Sequence, residues 1–224
     1  MIGRAGGAES LSLTIEKPLN TRNKSVGGQL AIDLERILNY ELKTLPGAAL
    51  RRDDGRRFLK PKTVRVVSRG AAGQSFGAFC NDGLLLEHTG TCNDGVGKGA
   101  CGGEIIVKAP AGGGSGDGQN VLIGNFALFG ATGGRVFIQG QAGDRFAVRN
   151  SGATAVVEGV GDFCAEYMTN GAVLNLGGFS KGLGNGMSGG FAYQYDPEGK
   201  LPDYISHDSV LAGTFADGSE QAEI

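Results

Sequence analysis

Two stretches decide how this chain is read: "GVGKGACGG" at residues 95–103 and "GLGNGMSGG" at residues 182–190. Glycines fall at the same places in both: Gly95, Gly97, Gly99, Gly102 and Gly103, then Gly182, Gly184, Gly186, Gly189 and Gly190. Each stretch contains G-x-G-x-x-G, the spacing of a dinucleotide-binding turn. Such a turn needs a strand before it and a helix after it, because the helix N-terminus holds the pyrophosphate. The first stretch is followed by "EIIVKAPAGGG" and the second by "FAYQYDPEG". Both read as a strand closed by turn residues, with no room for a helix. A P-loop is also excluded, since Lys98 is followed by Gly99 and not by a hydroxyl side chain. The ten glycines are therefore expected to be structural, placed at the same corner of a repeating fold where layers stack too closely for a Cβ. The two copies are expected to lie about five coils apart. No catalytic, cofactor-binding or metal-ligating residue is assigned to them.

The composition agrees with a repeating backbone. Glycine accounts for 42 of 224 residues, well over twice the usual share of roughly 7%. Apolar residues are interleaved throughout and there is no collagen period, so the glycines point to many backbone positions with positive φ or close approach. A net charge of -2 gives no reason to expect nucleic acid or an anionic membrane as partner. No apolar run reaches about 18 residues, so no membrane-spanning helix is expected. The start, "MIGRAGGAESLSL", lacks the apolar core of a signal peptide, and a cytoplasmic location is expected. Cys80, Cys92, Cys101 and Cys164 form no C-x-x-C pair and are expected to be buried thiols.

The chain divides by texture. In residues 1–62, "SVGGQLAIDLERILNYEL" carries an apolar stripe at Leu30, Ile32, Leu34, Ile37 and Leu38. It predicts a helix over about 25–42 with Ser25 satisfying its first N–H groups. Residues 43–62 read as a charged loop, and their "RRDDGRR" run reads as a solvated surface. From Thr63 to about residue 196, short β-prone runs recur between glycines: "TVRVVS", "GLLLEHTG", "GEIIVKA", "NVLIGNFALFG", "GRVFIQG", "RFAVRNSG", "TAVVEG", "GAVLNLGG" and "GFAYQYD". The Gly-led units step by about 16 to 20 residues, the signature of a solenoid. Helical repeats need long 3.6-period segments and leucine-rich repeats need L-x-x-L-x-L, and both are absent. The expected fold is all-β, a right-handed single-stranded parallel β-helix. Its open ends must be covered, one by residues 1–62 and the other by the tail 197–224 or a partner.

At "NTRNKSVGG" (20–28), "GAAGQSFGAF" (70–79), "NDGVGKGACGGEIIV" (93–107), "NVLIGNFALFGATGG" (120–134), "GQAGDRFAVRNSGATAVVEGVGDFCAEYMTNG" (140–171) and "GLGNGMSGGFAY" (182–193), the chain closely resembles the C-terminal domain of the glutamate synthase large subunit. That domain is named for its G-x-G-x-G motif. The resemblance implies a β-helix that does no chemistry itself. It implies that the module braces a glutamine amidotransferase and an FMN-binding synthase, with FMN and an iron–sulfur cluster held by those partners. The β-helical subunit of formylmethanofuran dehydrogenase is a more distant relative on the same repeat, and a scaffold role in a complex of that type is the alternative. Some positions depart from the family pattern: Gly95 replaces a common tyrosine, Cys101 stands at a coil corner, and Phe163 replaces a common histidine beside Cys164. The departures mark a divergent member and leave open whether the host complex makes glutamate or a related amino acid.

One rival reading comes from another class. Asp144, Arg145, Arg149, Asn150, Asp162 and Glu166 cluster within one block, and paired carboxylates cleave sugars on other β-helices. The structural reading is that Arg and Asp pair across adjacent coils and that Asn150 caps a corner in a side-chain ladder. It is preferred because nothing in the block separates two carboxylates into acid and base roles.

Overall fold

The computed structural model describes residues 11–14, 18–41, 49–51, 54–111 and 120–214. In chain order the elements are β1 (Leu11–Thr14), α1 (Gly28–Arg36), β2 (Ala49–Arg51), β3 (Arg57–Leu59), β4 (Val64–Ala72) and β5 (Leu84–Cys92). They continue with β6 (Cys101–Lys108), β7 (Val121–Ile123), β8 (Gly133–Ile138), β9 (Gln141–Ala142), β10 (Ser151–Gly159), β11 (Asn170–Gly178) and β12 (Phe191–Gln194). One sheet runs β1-β4-β5-β6-β8-β10-β11-β12, with β7 joining β5 and β9. Every pairing within it is parallel. Among the described residues only the small β2–β3 hairpin is antiparallel. Parallel neighbours joined one after another make a β-solenoid, as expected.

Parallel register puts equivalent residues of successive coils on top of one another, and the pleat sends alternate residues inside. One interior column runs Val66, Leu86, Ile105, Val136, Ala155 and Val173, all buried. A second column, two residues on, runs Ser68, His88, Val107, Ile138, Val157, Asn175 and Gln194. It is apolar in the middle and polar at both ends.

Both polar ends are satisfied, as buried polar groups must be. His88 is 1% exposed. Its Nε2 lies 3.1 Å from the carbonyl oxygens of Gly70 and Thr91. Carbonyls only accept, so Nε2 carries the proton, and Nδ1 accepts from the Ser68 hydroxyl at 2.9 Å. At the other end, the Asn175 Nδ2 donates to Gln194 Oε1 at 2.7 Å and to Gly178 O at 3.0 Å. Desolvation holds the His88 imidazole below its ordinary pKa of 6.5.

The N-terminal segment starts the stack. β1 lies parallel on β4, and Leu19 bridges Gly70. The chain then turns at Ser25 and enters the helix, which starts later than its sequence suggests. Gly27 is its N-cap, with φ 88 and no side-chain cap bond. Ser25 has φ 51 and gives its N–H to Gln74 O instead, so the first-turn role read for it is corrected. After Arg36 the helix widens to a π turn over Ile37–Glu41. Its buried stripe is Ala31, Leu34 and Leu38, while Ile32 faces out. The Asn81 Nδ2 ties the helix to the coil by donating to Ala31 O at 3.0 Å. The stretch 43–62, read as a charged loop, is corrected in part: it holds the β2–β3 hairpin, while residues 43–48 and Arg52 and Asp53 of "RRDDGRR" lie outside the described residues. Its described part carries a bidentate pair, Arg56 Nε and Nη2 to the two Glu35 oxygens at 3.1 and 3.0 Å.

At the far end the tail folds back. The Leu183 N–H donates to Tyr204 O at 3.0 Å, the Tyr204 ring meets Phe179 edge-on, and Gly186 N–H donates to Ser209 Oγ. Among the described residues no strand pairs with the outer edge of β12.

A ladder of left-handed turns

Two runs expected to be strands are not. "FALF" and "RFAV" lie in turns, because the corner between β-strands is itself lined with apolar residues that face the core. Among the described residues six such turns stack: Ser75–Phe79, Gly95–Gly99, Phe126–Gly130, Arg145–Arg149, Phe163–Tyr167 and Gly182–Gly186. In every one the first, third and fifth residues have positive φ, between 43 and 74. This alternation aims successive N–H groups in opposite directions along the solenoid axis. The first N–H donates forward, as Gly95 does to Asn125 O and Arg145 to Asp162 O. The third donates backward, as Gly97 does to Phe76 O and Ala147 to Ala127 O. The fifth donates forward again, as Phe79 does to Lys98 O and Arg149 to Glu166 O.

The glycines of the two opening stretches therefore have two different causes. Gly95, Gly97, Gly99, Gly182, Gly184 and Gly186 occupy left-handed positions, which glycine adopts freely. Ser75, Phe79, Phe126, Leu128, Arg145, Ala147, Arg149, Phe163, Ala165 and Tyr167 occupy the same positions in the other turns. The corner can hold a Cβ, contrary to expectation, at a strain of roughly 1 kcal/mol each. Gly102, Gly103, Gly189 and Gly190 carry a further constraint, although Gly103 (φ 73) and Gly190 (φ 87) are left-handed as well. A Cβ there would come within 2.9 Å of backbone atoms of the preceding coil, so at these four close stacking does forbid a side chain. The two glycine turns are four steps apart, not five, because one coil is lengthened by the segment between β6 and β7. The interval from Asp94 to Asn125 is 31 residues, against 19 and 18 for the next two.

Large side chains lie over the glycines. A Cβ on Gly95 would meet the Phe126 ring at 2.9 Å, and one on Gly99 the Phe79 ring at 3.0 Å. Gly182 and Gly186 are covered likewise by Phe163 and Tyr167. Cations sit against rings on the same outer face: Lys98 on Phe129, Arg145 and Lys181 on Phe163, and Arg149 on Tyr167, all 5.8–5.9 Å from the ring centroid.

Beside the turns runs a second ladder that sequence reasoning missed. The Asp94 Oδ1 accepts from Asn125 N–H, Asn125 Oδ1 from Asp144 N–H, and Asp144 Oδ1 from Asp162 N–H, at 2.8–2.9 Å. Asp162 ends it by accepting from Ser180 Oγ. That hydroxyl, with Lys181, holds the Asp162 carboxyl below its usual range. Gly124, Gly143 and Gly161 precede the residues whose N–H donates, and a Cβ on any of them would strike the accepting Oδ1. The recurring Gly-Asn and Gly-Asp pairs were the available signal.

The six residues of the rival enzymatic reading are placed by these ladders. Asp144 and Asp162 are joined through a backbone N–H, not facing each other across a cleft. Arg145 pairs with Glu166 of the next coil at 3.7 Å, and Arg149 lies on Tyr167. Asn150 is fully buried, accepts from Gly152 and Ala153 N–H and donates to Ala153 O. It caps its own corner, and does not extend a ladder between coils. A separate cleft of about 190 Å³ lies beside Gly83, Gly103 and Gly134. Its one buried acid, Glu104, has both oxygens occupied, by Lys62 at 3.2 Å and Arg135 at 3.1 Å.

Cys80, Cys92 and Cys164 are buried and Cys101 is half-buried, all as free thiols. Burial pushes the first three up to about 12. An iron–sulfur cluster needs thiolates grouped together, and this set does not fit one. Among the described residues no group of three or more His, Cys, Asp or Glu could hold a metal ion. No helix among them is long and apolar enough to cross a membrane.

The architecture defines a class: a parallel β-solenoid whose coils turn on an alternating left-handed corner, with G-x-G-x-G as its glycine form. The GXGXG motif family matches residues 15–224, and the chain belongs to it. It is 45% identical over 186 residues to the glutamate synthase [NADPH] large chain of Bacillus subtilis (strain 168), covering 83% of this chain and 12% of that one. It is 46% identical over 190 residues to the glutamate synthase [NADH] of Schizosaccharomyces pombe, covering 83% and 9%. It is 48% identical over 160 residues to ferredoxin-dependent glutamate synthase 2 of Synechocystis sp., covering 70% and 10%. The chain is thus related to one domain of glutamate synthases and spans about a tenth of the length of the curated relatives it matches.

Proposed function

We propose that this chain is a non-catalytic assembly module of a glutamate synthase-type complex. It holds a glutamine amidotransferase part and an FMN-binding synthase part in fixed relation. FMN and the iron–sulfur cluster belong to those partners, and the module contributes rigidity. The observation that carries this reading is how the candidate catalytic groups are engaged. Asp94, Asp144 and Asp162 accept bonds within the ladder, and Glu166 and Glu104 are held by cations. A general acid or base needs a free face toward a substrate, and each of these five carboxylates has at least one oxygen taken up in joining coils. The relatives support the same reading, since the matched segment is a small part of long synthase chains.

The test is reconstitution. Amidotransferase and FMN-binding polypeptides are co-expressed with and without this chain, and glutamine-dependent glutamate formation is followed. The expected result is loss of activity without the chain and its return on adding it. Full activity without it, or sugar-polymer cleavage by the purified chain alone, would overturn the reading.

A further inference from the structure

We propose that the outer face of the turn ladder is where the partner polypeptide docks, and that the partner meets it with a carboxylate-rich protein surface. This rests on the reading of the chain as an assembly module and names the side it uses. Phe79 is 52% exposed, Tyr167 49%, Phe129 39% and Phe126 36%. Phe79, Phe126 and Tyr167 are also held at positive φ, where glycine would be the less strained residue. Each of these three rings is seated over a glycine of a neighbouring turn and still leaves a third or more of its surface to solvent, so the face is apolar and ordered before any partner arrives.

The charge on this face gives the partner its chemistry. Lys98 and Arg149 are exposed and sit on rings, and among the described residues neither has a carboxylate within ion-pair reach. They stand ready for acids supplied from outside. Their rings already order them, which lowers the entropy lost on binding. Arg with Phe and Tyr is also the composition of protein interfaces. A nucleic acid fits less well, because Lys98 and Arg149 together could neutralise only about two phosphates. Sugar stacking fits less well because cations already lie against the rings of Phe163 and Tyr167.

The experiment uses the full chain and the co-expressed synthase polypeptides. Lys98→Glu with Arg149→Glu is compared with Lys98→Arg with Arg149→Lys, and thermal midpoints confirm folding. The expected result is at least a tenfold weaker association for the double Glu variant, near-native association for the conservative pair, and wild-type affinity that falls with added salt. Undiminished association of a folded double Glu variant would overturn this face while leaving the assembly reading intact. No association of the wild-type chain would overturn both. Equal binding of a single-stranded oligonucleotide would overturn the protein partner in favour of nucleic acid.

Discussion

At the residue scale, the two kinds of glycine predict different penalties. Gly130 has φ 61 and open space around its missing Cβ. Gly130→Ala therefore meets only the left-handed strain, about 1 kcal/mol in urea unfolding. A Cβ on Gly102 would lie 2.7 Å from the Asp82 backbone nitrogen. Gly102→Ala must move one coil against another and is expected to lose about 3 kcal/mol or more. Equal losses would refute the division. His88 supplies a pH dependence. Its pKa is lowered in the folded chain, so the unfolded chain takes up the proton first. Stability is then flat above about pH 6.5 and declines as pH falls below it, until the folded imidazole itself is protonated. Urea midpoints at pH 7.5 and pH 5.5 check this, and His88→Gln should remove most of the slope.

At the element scale, each coil depends on one or two polar side chains that close its corner. Asn150→Ala leaves the Gly152 and Ala153 N–H groups and Ala153 O without partners in a buried place, and should lose about 2–4 kcal/mol. Asn125→Ala removes one exposed rung and should lose about 1 kcal/mol, while Asn125→Asp keeps the acceptor and should stay near native stability. The strands were legible because "TVRVVS" and "GEIIVKA" have the right residues between turn signals. The two glycine corners were legible because glycine announces positive φ. The corners at Phe126–Gly130 and Arg145–Arg149 were not, because Phe, Ala, Val and Arg prefer extended backbone. Hydrogen bonds from the coils on either side impose the left-handed shape there, and no local propensity records that. The helix start was misplaced for a similar reason, since Ser25 is taken up by the first turn of the stack. The family resemblance carried the relation to glutamate synthase. The ladder from Asp94 to Asp162 was missed because each of its residues looks like an ordinary loop acid or amide.

At the scale of the whole molecule, the solenoid is closed by its own chain at the last turn. Ending the polypeptide after residue 198 removes the Tyr204 carbonyl from Leu183 N–H and the Val210 methyl from above Gly184. Such a truncation should lower the thermal midpoint by several degrees and give concentration-dependent association in light scattering. Retention of a stable monomer would show that the tail is dispensable. The interior column from Ser68 to Gln194 has a further consequence. Its polar pairs act as bookends, and only the coils between them offer a purely apolar seat. A duplicated coil inserted between β8 and β10 would find valine and isoleucine above and below it and be tolerated. The same coil added beyond β12 would press an apolar residue onto Gln194 and strand an amide indoors. The molecule thus carries a polar mark near each end of its stack, Ser68 with His88 where β1 still adds to β4, and Asn175 with Gln194 at β12.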